Sequence, residues 1–324
     1  MNKKMTITLL LLIILSTFIY ISNNILFGDN DEKQYKIAFI RMKEGGQFWS
    51  SMRNGAREAR TDTKTSVEFF STISAGDIND QTEFVENAIE KKVDAIVIIP
   101  SDTKALVEPL KQAKESGIKI IQLFNEIDDE ENIIDFSVMT DTKEIGIKIA
   151  DKIIDNANDK KVNVLLVSRS PKVTSSKYME ESIMQKFKST TNINCSSLYA
   201  GSSINLISER IMNYINNYQA LDYIIALDDD SSEGIAQYFN QEGTKKNIYF
   251  FATSHSLSNI QNLEKDIIDE LLIINGFAMG YQGVNTAYNL LSSNTIDNQK
   301  IDYNFVTKEN MFDEDIQNKL FILY

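Results

Sequence analysis

Phe48 and Trp49, the latter the only tryptophan, stand where an apolar run from Lys36 to Ile40 gives way to a helical pattern. A flat aromatic face at a strand-to-helix turn covers a C–H-rich ring without demanding hydrogen bonds. The alternative is that one ring is the helix's first core contact. Asp228, Asp229 and Asp230 follow a second apolar run, Tyr223 to Leu227. A carboxylate accepts from two hydroxyls at once, which makes Asp228 a candidate ligand contact. Asp229 and Asp230 suit capping of the next helix together with Ser231. The triplet lacks further ligands at chelating spacing, so it is a weak metal signal.

Reactive side chains are scarce. One cysteine, Cys195, excludes an intrachain disulfide framework and multi-cysteine zinc sites, and one histidine, His255, excludes most histidine-based metal sites. His255 falls in a loop after a strand and is expected to be exposed, while Cys195 falls in a strand and is expected to act as a small buried hydrophobe. The motifs G-x-S-x-G and H-E-x-x-H are absent, and with 46 acidic residues carboxylate pairs carry no glycosidase signal. The segment from Lys43 to Gly46 is too short and too unlike a P-loop to cradle phosphates. The chain therefore reads as a binding protein, not an enzyme, with no metal and no cofactor.

The elements that must hold these residues alternate. Strands are expected at 36–40, 67–71, 95–99 and 119–123, with helices at 48–60, 79–90 and 104–116 between them. After Asp141 the pattern restarts with a helix at 143–157. Strands at 162–167, 192–199, 223–227, 248–252 and 270–274 follow, separated by helices at 177–187, 204–217, 232–240 and about 257–263 and closed by a helix at 278–291. Such alternation implies α/β architecture with parallel sheets covered by helices on both faces. Ligands in such folds sit beyond the carboxyl ends of the strands, which is where Phe48, Trp49 and Asp228 stand. A length of 324 residues suits two domains, and a net charge of −13 argues against nucleic acid as a partner.

The amino terminus differs from the rest. No charged residue lies between Met5 and Gly28, whereas Lys3 and Lys4 precede the stretch and Asp29, Asp31 and Glu32 follow it. Roughly 20 apolar residues span a bilayer, and flanking lysines favour the inner side. Residues 1–28 are thus expected to form a single transmembrane helix, a signal anchor in the cell membrane with a cytoplasmic amino terminus. Residues 29–34 would be a linker, and the body would lie outside the cell. A cleaved signal peptide is the alternative, but Ile19, Tyr20 and Ile21 crowd the region where a small-x-small cleavage signal belongs. No cysteine follows the apolar run, which excludes a lipoprotein anchor.

Several segments carry a resemblance to a known family. They are Lys36-Ile-Ala-Phe-Ile with Phe48-Trp49, Gly55 and Ala59, then Asp94-Ala-Ile-Val-Ile-Ile-Pro100-Ser-Asp102, then Asp141 with Gly146. The last is Asn275-Gly-Phe-Ala-Met279-Gly280-Tyr281-Gln-Gly283-Val284. In order and spacing they resemble the type 1 periplasmic sugar-binding proteins of the ribose- and xylose-binding kind, from about Tyr35 to Ser293. The resemblance implies two Rossmann-like lobes joined by three crossovers and closing by hinge motion over a small ligand, a carbohydrate. On that layout residues 35–139 and 276–306 form lobe one, and 140–275 and 307–324 form lobe two. Repressors of the lactose-repressor type share these lobes, but an apolar span occupies the place of their helix-turn-helix head.

The resemblance also implies where a ligand is gripped, and here the chain departs from it. The usual Asp-Arg after the fourth strand is Phe124-Asn125. The arginine of the helix after strand 162–167 aligns with Met179, leaving Lys177 as the nearest cation. The aspartate after strand 248–252 aligns with Ser254, and the hinge-side glutamine with Ile274 beside Asn275. The expected ligand set is therefore Phe48, Trp49, Phe124, Asn125, Lys177, Met179, Asp228, Ser254 and Asn275. Asn125 and Asn275 serve either as polar contacts or as turn formers. The implied function is a membrane-tethered extracellular solute-binding protein that reports a sugar to a membrane sensor kinase. The alternative is the solute donor of an ABC importer, with its permease as partner.

Overall fold

The computed structural model describes residues 14–17, 34–42, 47–72, 78–217, 220–243, 247–296 and 300–320. The chain forms two compact units, 1–34 and 35–324. In the first, Ile14 to Thr17 are helical, and Thr17 Oγ1 donates to Ile14 O at 2.9 Å. The remainder of the expected membrane span lies outside the described residues. Among the described residues no helix is long and apolar enough to cross a membrane.

The second unit holds two sheets. β1 (Lys36–Arg41), β2 (Ser66–Ser71), β3 (Ala95–Ile98), β4 (Lys119–Leu123) and β5 (Phe136–Val138) form a parallel sheet in the order β2-β1-β3-β4-β5. β6 (Val162–Ser168), β7 (Ile193–Tyr199), β8 (Tyr223–Ala226), β9 (Tyr249–Thr253) and β10 (Glu270–Ile274) repeat that arrangement as β7-β6-β8-β9-β10. β11 (Tyr303–Val306) adds an antiparallel edge strand on β10. Each sheet, with the helices packed on it, makes one lobe.

Alternation along the strands feeds two cores per sheet, because successive side chains point to opposite faces. In β1, Ile37 and Phe39 pack toward α1 (Gln47–Asp62) and α9 (Gly276–Ser292). Ala38 and Ile40 pack toward α2 (Ile78–Glu90) and α3 (Val107–Glu115). β3 is buried on both faces and so carries an unbroken apolar run. In β6, Val164 and Leu166 meet α4 (Thr142–Ala157) and α5 (Thr174–Phe187). Leu165 and Val167 meet α6 (Ile204–Asn217), α7 (Asp229–Glu242) and α8 (Leu257–Glu264). The last described element is α10 (Glu314–Leu320), whose Ile316 and Leu320 join that last core.

α9 follows β10 of the second sheet yet packs on α1 of the first, and the two helices approach until backbone meets backbone. A Cβ on Gly55 would lie 2.0 Å from Phe277 O, and one on Gly280 would lie 1.9 Å from Met52 O. Only glycine permits that separation.

Three expectations need correction. β5, β11 and α10 had no counterpart in the sequence pattern. β11 belongs to the second sheet, with Ile274 opposite Tyr303, and not to the first lobe in which residues 276–306 were placed. Its antiparallel pairing covers an edge of β10 that would otherwise lie open. The helix after β8 starts at Asp229 instead of 232, because Asp228 supplies its cap: Oδ1 accepts from Ser231 N at 2.8 Å.

Candidate functional site

The carboxyl ends of the two sheets converge on one cavity, with about 490 Å³ of space unfilled by atoms, part of it open to solvent. Phe48, at the start of α1, and Phe124, after β4, line it from the first lobe. From the second come Arg169 after β6, Val173, Ser175 and Ser176 at the start of α5, Leu227 to Asp230 after β8, and Thr253 and His255 from β9 and its loop. Ile274 closes the wall at the end of β10.

The polar wall is pre-organised. Asp228 accepts from the Arg169 amide at 2.6 Å as well as from Ser231, so its carboxylate is fixed in place. The Arg169 guanidinium, 13% exposed, lies 3.5 Å from Asp230. Asp229 accepts from the Ser254 hydroxyl and from the His255 amide at 3.2 Å. These carboxylates sit in the first turn of α7, where the helix dipole favours negative charge. Among the described residues, none pairs with the buried Thr253 Oγ1. A buried hydroxyl left unpaired costs about 1 to 3 kcal/mol.

The apolar wall is aromatic. Phe48 and Phe124 have ring centroids 5.4 Å apart. The His255 ring lies 4.6 Å from Phe48, tilted by 31°. Burial pushes the His255 pKa down to about 4, which keeps the imidazole neutral at ordinary pH. Phe124 has φ +62°, and the Asn125 amide donates to Leu123 O at 2.6 Å across it. That three-residue turn is of the strained hand, seldom used by a bulky residue.

Around this cavity the lobes touch directly. Ser175 Oγ donates to Asn125 Oδ1 at 2.9 Å, and Thr174 Oγ1 accepts from the Glu126 amide at 2.7 Å. Tyr178 Oη donates to Glu126 at 2.7 Å, which raises the phenol's pKa to about 12. Lys172 meets Asp102 at 3.3 Å. Desolvation acts to raise the Asp102 pKa, but amide bonds from Lys104 and Ala105 together with Lys172 outweigh it and hold the carboxyl below its usual value.

Of the expected ligand set, the structure brings Phe48, Phe124 and Asp228 to the cavity. Trp49 stands behind, 2% exposed and edge-on to Phe48, as the helix's core contact. Met179 is buried in the core beneath α4 and α5, and Lys177 is exposed and pairs with Glu181 at 3.9 Å. Ser254 supports Asp229 from outside the lining. Asn125 bonds to Pro100 O at 3.1 Å and to Ser175. Asn275 caps α9 through Ala278 N at 2.9 Å. His255 corrects the expectation of an exposed loop residue. Cys195 is half-buried, and burial pushes its thiol up to about 12. Arg169 and Thr253 were missed, although both stand at the carboxyl end of a strand, the signal that singled out Asp228.

A model of the periplasmic binding protein domain matches residues 37–295. A D-ribose/D-allose-binding protein of Pseudomonas aeruginosa is 33% identical over 98 residues, 29% of this chain and 30% of that protein. A D-xylose-binding periplasmic protein of Haemophilus influenzae is 24% identical over 200 residues, 58% of this chain and 57% of that one. The matched stretches thus cover about a third to a little over half of these relatives' own length. Among solved structures, an ABC transporter solute-binding protein from Agrobacterium vitis bound with α-D-tagatopyranose shares the fold. Its TM-score is 0.81 at 23% identity, over 88% of this chain and 99% of that one. All these names are those of binding proteins, in keeping with a binder in place of an enzyme.

Proposed function

Because the chain belongs to the periplasmic binding protein domain family, in its type 1 sugar-binding form, we propose that its cleft takes a small carbohydrate outside the cytoplasm and closes over it. One observation carries this reading: two equivalent sheets point their carboxyl ends at one cavity, with aromatic rings on one side and fixed hydrogen-bonding groups on the other. Phe48 and Phe124 would cover the C–H face of a sugar ring. Arg169, Asp228 and the unpaired Thr253 hydroxyl would take its hydroxyls. Three carboxylates beside one guanidinium make the wall unsuited to phosphorylated sugars. Asn125, Ser254 and Asn275 then act as supports.

In this reading lobe one is 35–139 with 276–300, and lobe two is 140–275 with 301–324. The uncharged stretch from Met5 to Gly28 supports retention at the membrane, where a tether holds the binding unit near a sensor kinase at high effective concentration. Delivery to an ABC permease is the second reading, favoured by the likeness to ABC transporter solute-binding proteins. The sugar reading is tested by thermal shift of residues 35–324 against neutral pentoses, hexoses and their phosphates. A ligand at 100 times its Kd should add about 2.7 kcal/mol of stability. Stabilisation by the phosphates alone, or by no sugar, would overturn it.

A further inference from the structure

The second crossover between the lobes, Ile274 to Gly276, is held at one point by a side chain where a strand would be expected. β9 runs parallel to β10 with Thr253 opposite Leu272, and the last backbone bond between them is from Ser254 N to Leu272 O at 3.2 Å. In a parallel pair, alternate residues of one strand turn both backbone groups to the same neighbour. The next such residue on β10 is Ile274, but by then the chain of β9 has turned away into α8. The His255 imidazole takes the vacated place: its Nε2 lies 2.6 Å from Ile274 N and 2.8 Å from Ile274 O. The N–H of Ile274 is a donor, so Nε2 must accept from it, and the ring's proton belongs on Nδ1.

The same ring lies against Phe48 of the first lobe at 4.6 Å. Phe48 in turn meets the crossover, for a Cβ on Gly276 would come 2.8 Å from Phe48 Cδ2. His255, Phe48 and Ile274 all line the cavity. Ligand wall, first lobe and crossover therefore share one contact triangle.

We propose that His255 is a positioning residue of the hinge: it stands in for the missing end of β9, fixes Ile274 at the crossover, and through Phe48 couples closure of the first lobe to the crossover's register. The proposal rests on reading the cavity as the ligand cleft. A ligand seated against Phe48 and His255 then acts on the hinge without any relay. The charged groups around His255 are Asp229, which accepts its amide, and Asp228, Asp230 and Arg169 across the cavity. The residues that α1 and the crossover turn to the cavity, Phe48 and Ile274, are apolar. With its pKa held down to about 4 by burial, the ring remains an acceptor at neutral pH. Protonation would convert Nε2 to a donor, able to serve Ile274 O but not Ile274 N–H.

The test needs no sugar. In ¹⁵N-labelled protein spanning residues 35–324, His255 should show the Nδ1–H tautomer at neutral pH. His255→Gln offers Ile274 both an acceptor and a donor, whereas His255→Phe keeps only the ring contact with Phe48. The Ile274 amide should exchange about tenfold faster in the Phe variant than in wild type, the effect of one lost hydrogen bond, and near the wild-type rate in the Gln variant. The Phe variant should also have the larger radius of gyration by small-angle scattering. As pH falls toward 4, Ile274 protection, relative to other core amides, should fade in wild type and persist in the Gln variant. An Nε2–H tautomer, equal protection in the Phe variant, or equal radii would overturn the proposal. Failure of every sugar in the thermal-shift panel would count against the ligand reading and leave these results standing.

Discussion

Phe124 adopts a backbone conformation its side chain disfavours, and the turn it makes sends neighbouring side chains to two different tasks. The Phe124 ring enters the cavity beside Phe48, while the Asn125 carboxamide reaches Pro100 and, across the lobes, Ser175. Strain of this kind costs about 1 to 3 kcal/mol and persists where surroundings over-determine it. Removing the ring with Phe124→Ala keeps the strain, whereas Phe124→Gly removes both. The Gly variant should therefore be the more stable of the two by about 1 kcal/mol in urea unfolding, although glycine is ordinarily the worse choice. An Ala variant as stable as the Gly variant would show that the positive φ carries no cost. At this scale the sequence was only partly legible. Types and strand-end positions pointed to Phe48 and Asp228, but Trp49 and Phe48 were interchangeable until the fold buried both in one core and left only Phe48 at the cavity wall. His255 was hidden because its burial comes from Phe48 and Ile274, both distant in the chain.

Helices and strands were more legible, since each is announced by its own periodicity. The strands of both lobes show as β-branched runs, and the equivalent order of the two sheets follows from repeated strand and helix alternation. β5 has three residues and β11 four, too few for a period to show, and β11 owes its place to the open edge of β10. The glycines at 55 and 280 were visible as signature residues, but their reason is an inter-element distance. In an exposed helix, Gly→Ala gains about 1 kcal/mol. At Gly280 the new Cβ would meet the Met52 carbonyl at 1.9 Å, a contact that only displacement of a whole helix relieves. Overpacking of about 1 to 3 kcal/mol, and more against backbone, should outweigh the propensity gain. Gly280→Ala should thus lower the urea midpoint with little change in slope. A raised midpoint would mean that α1 and α9 separate freely.

For the molecule as a whole, the proposed closure of the lobes over a ligand would make the contacts that join them outside the cavity bear on affinity without touching ligand. A ligand that meets both walls binds the closed form better than the open one, and its apparent Kd is its intrinsic Kd divided by the closed fraction. Contacts that favour closure therefore strengthen binding from a distance. The Lys172–Asp102 pair is a poor candidate, because the lysine is 71% exposed and such pairs are worth ~0 to 1 kcal/mol. The Tyr178 hydroxyl is a better one: it donates to the Glu126 carboxylate at 2.7 Å and lies outside the cavity lining. A hydrogen bond to a charged acceptor contributes about 1.5 to 3 kcal/mol, of which solvent competition at a half-buried site leaves a part. Tyr178→Phe should consequently enlarge the ligand-free radius of gyration measured by small-angle scattering and weaken binding of the best sugar from the thermal-shift panel by about 3- to 10-fold. The aromatic ring stays, so the melting temperature should hardly move. Loss of affinity with an unchanged radius would place Tyr178's effect in the site and not in closure, whereas an unchanged radius and an unchanged affinity together would show that the bond to Glu126 does not hold the lobes.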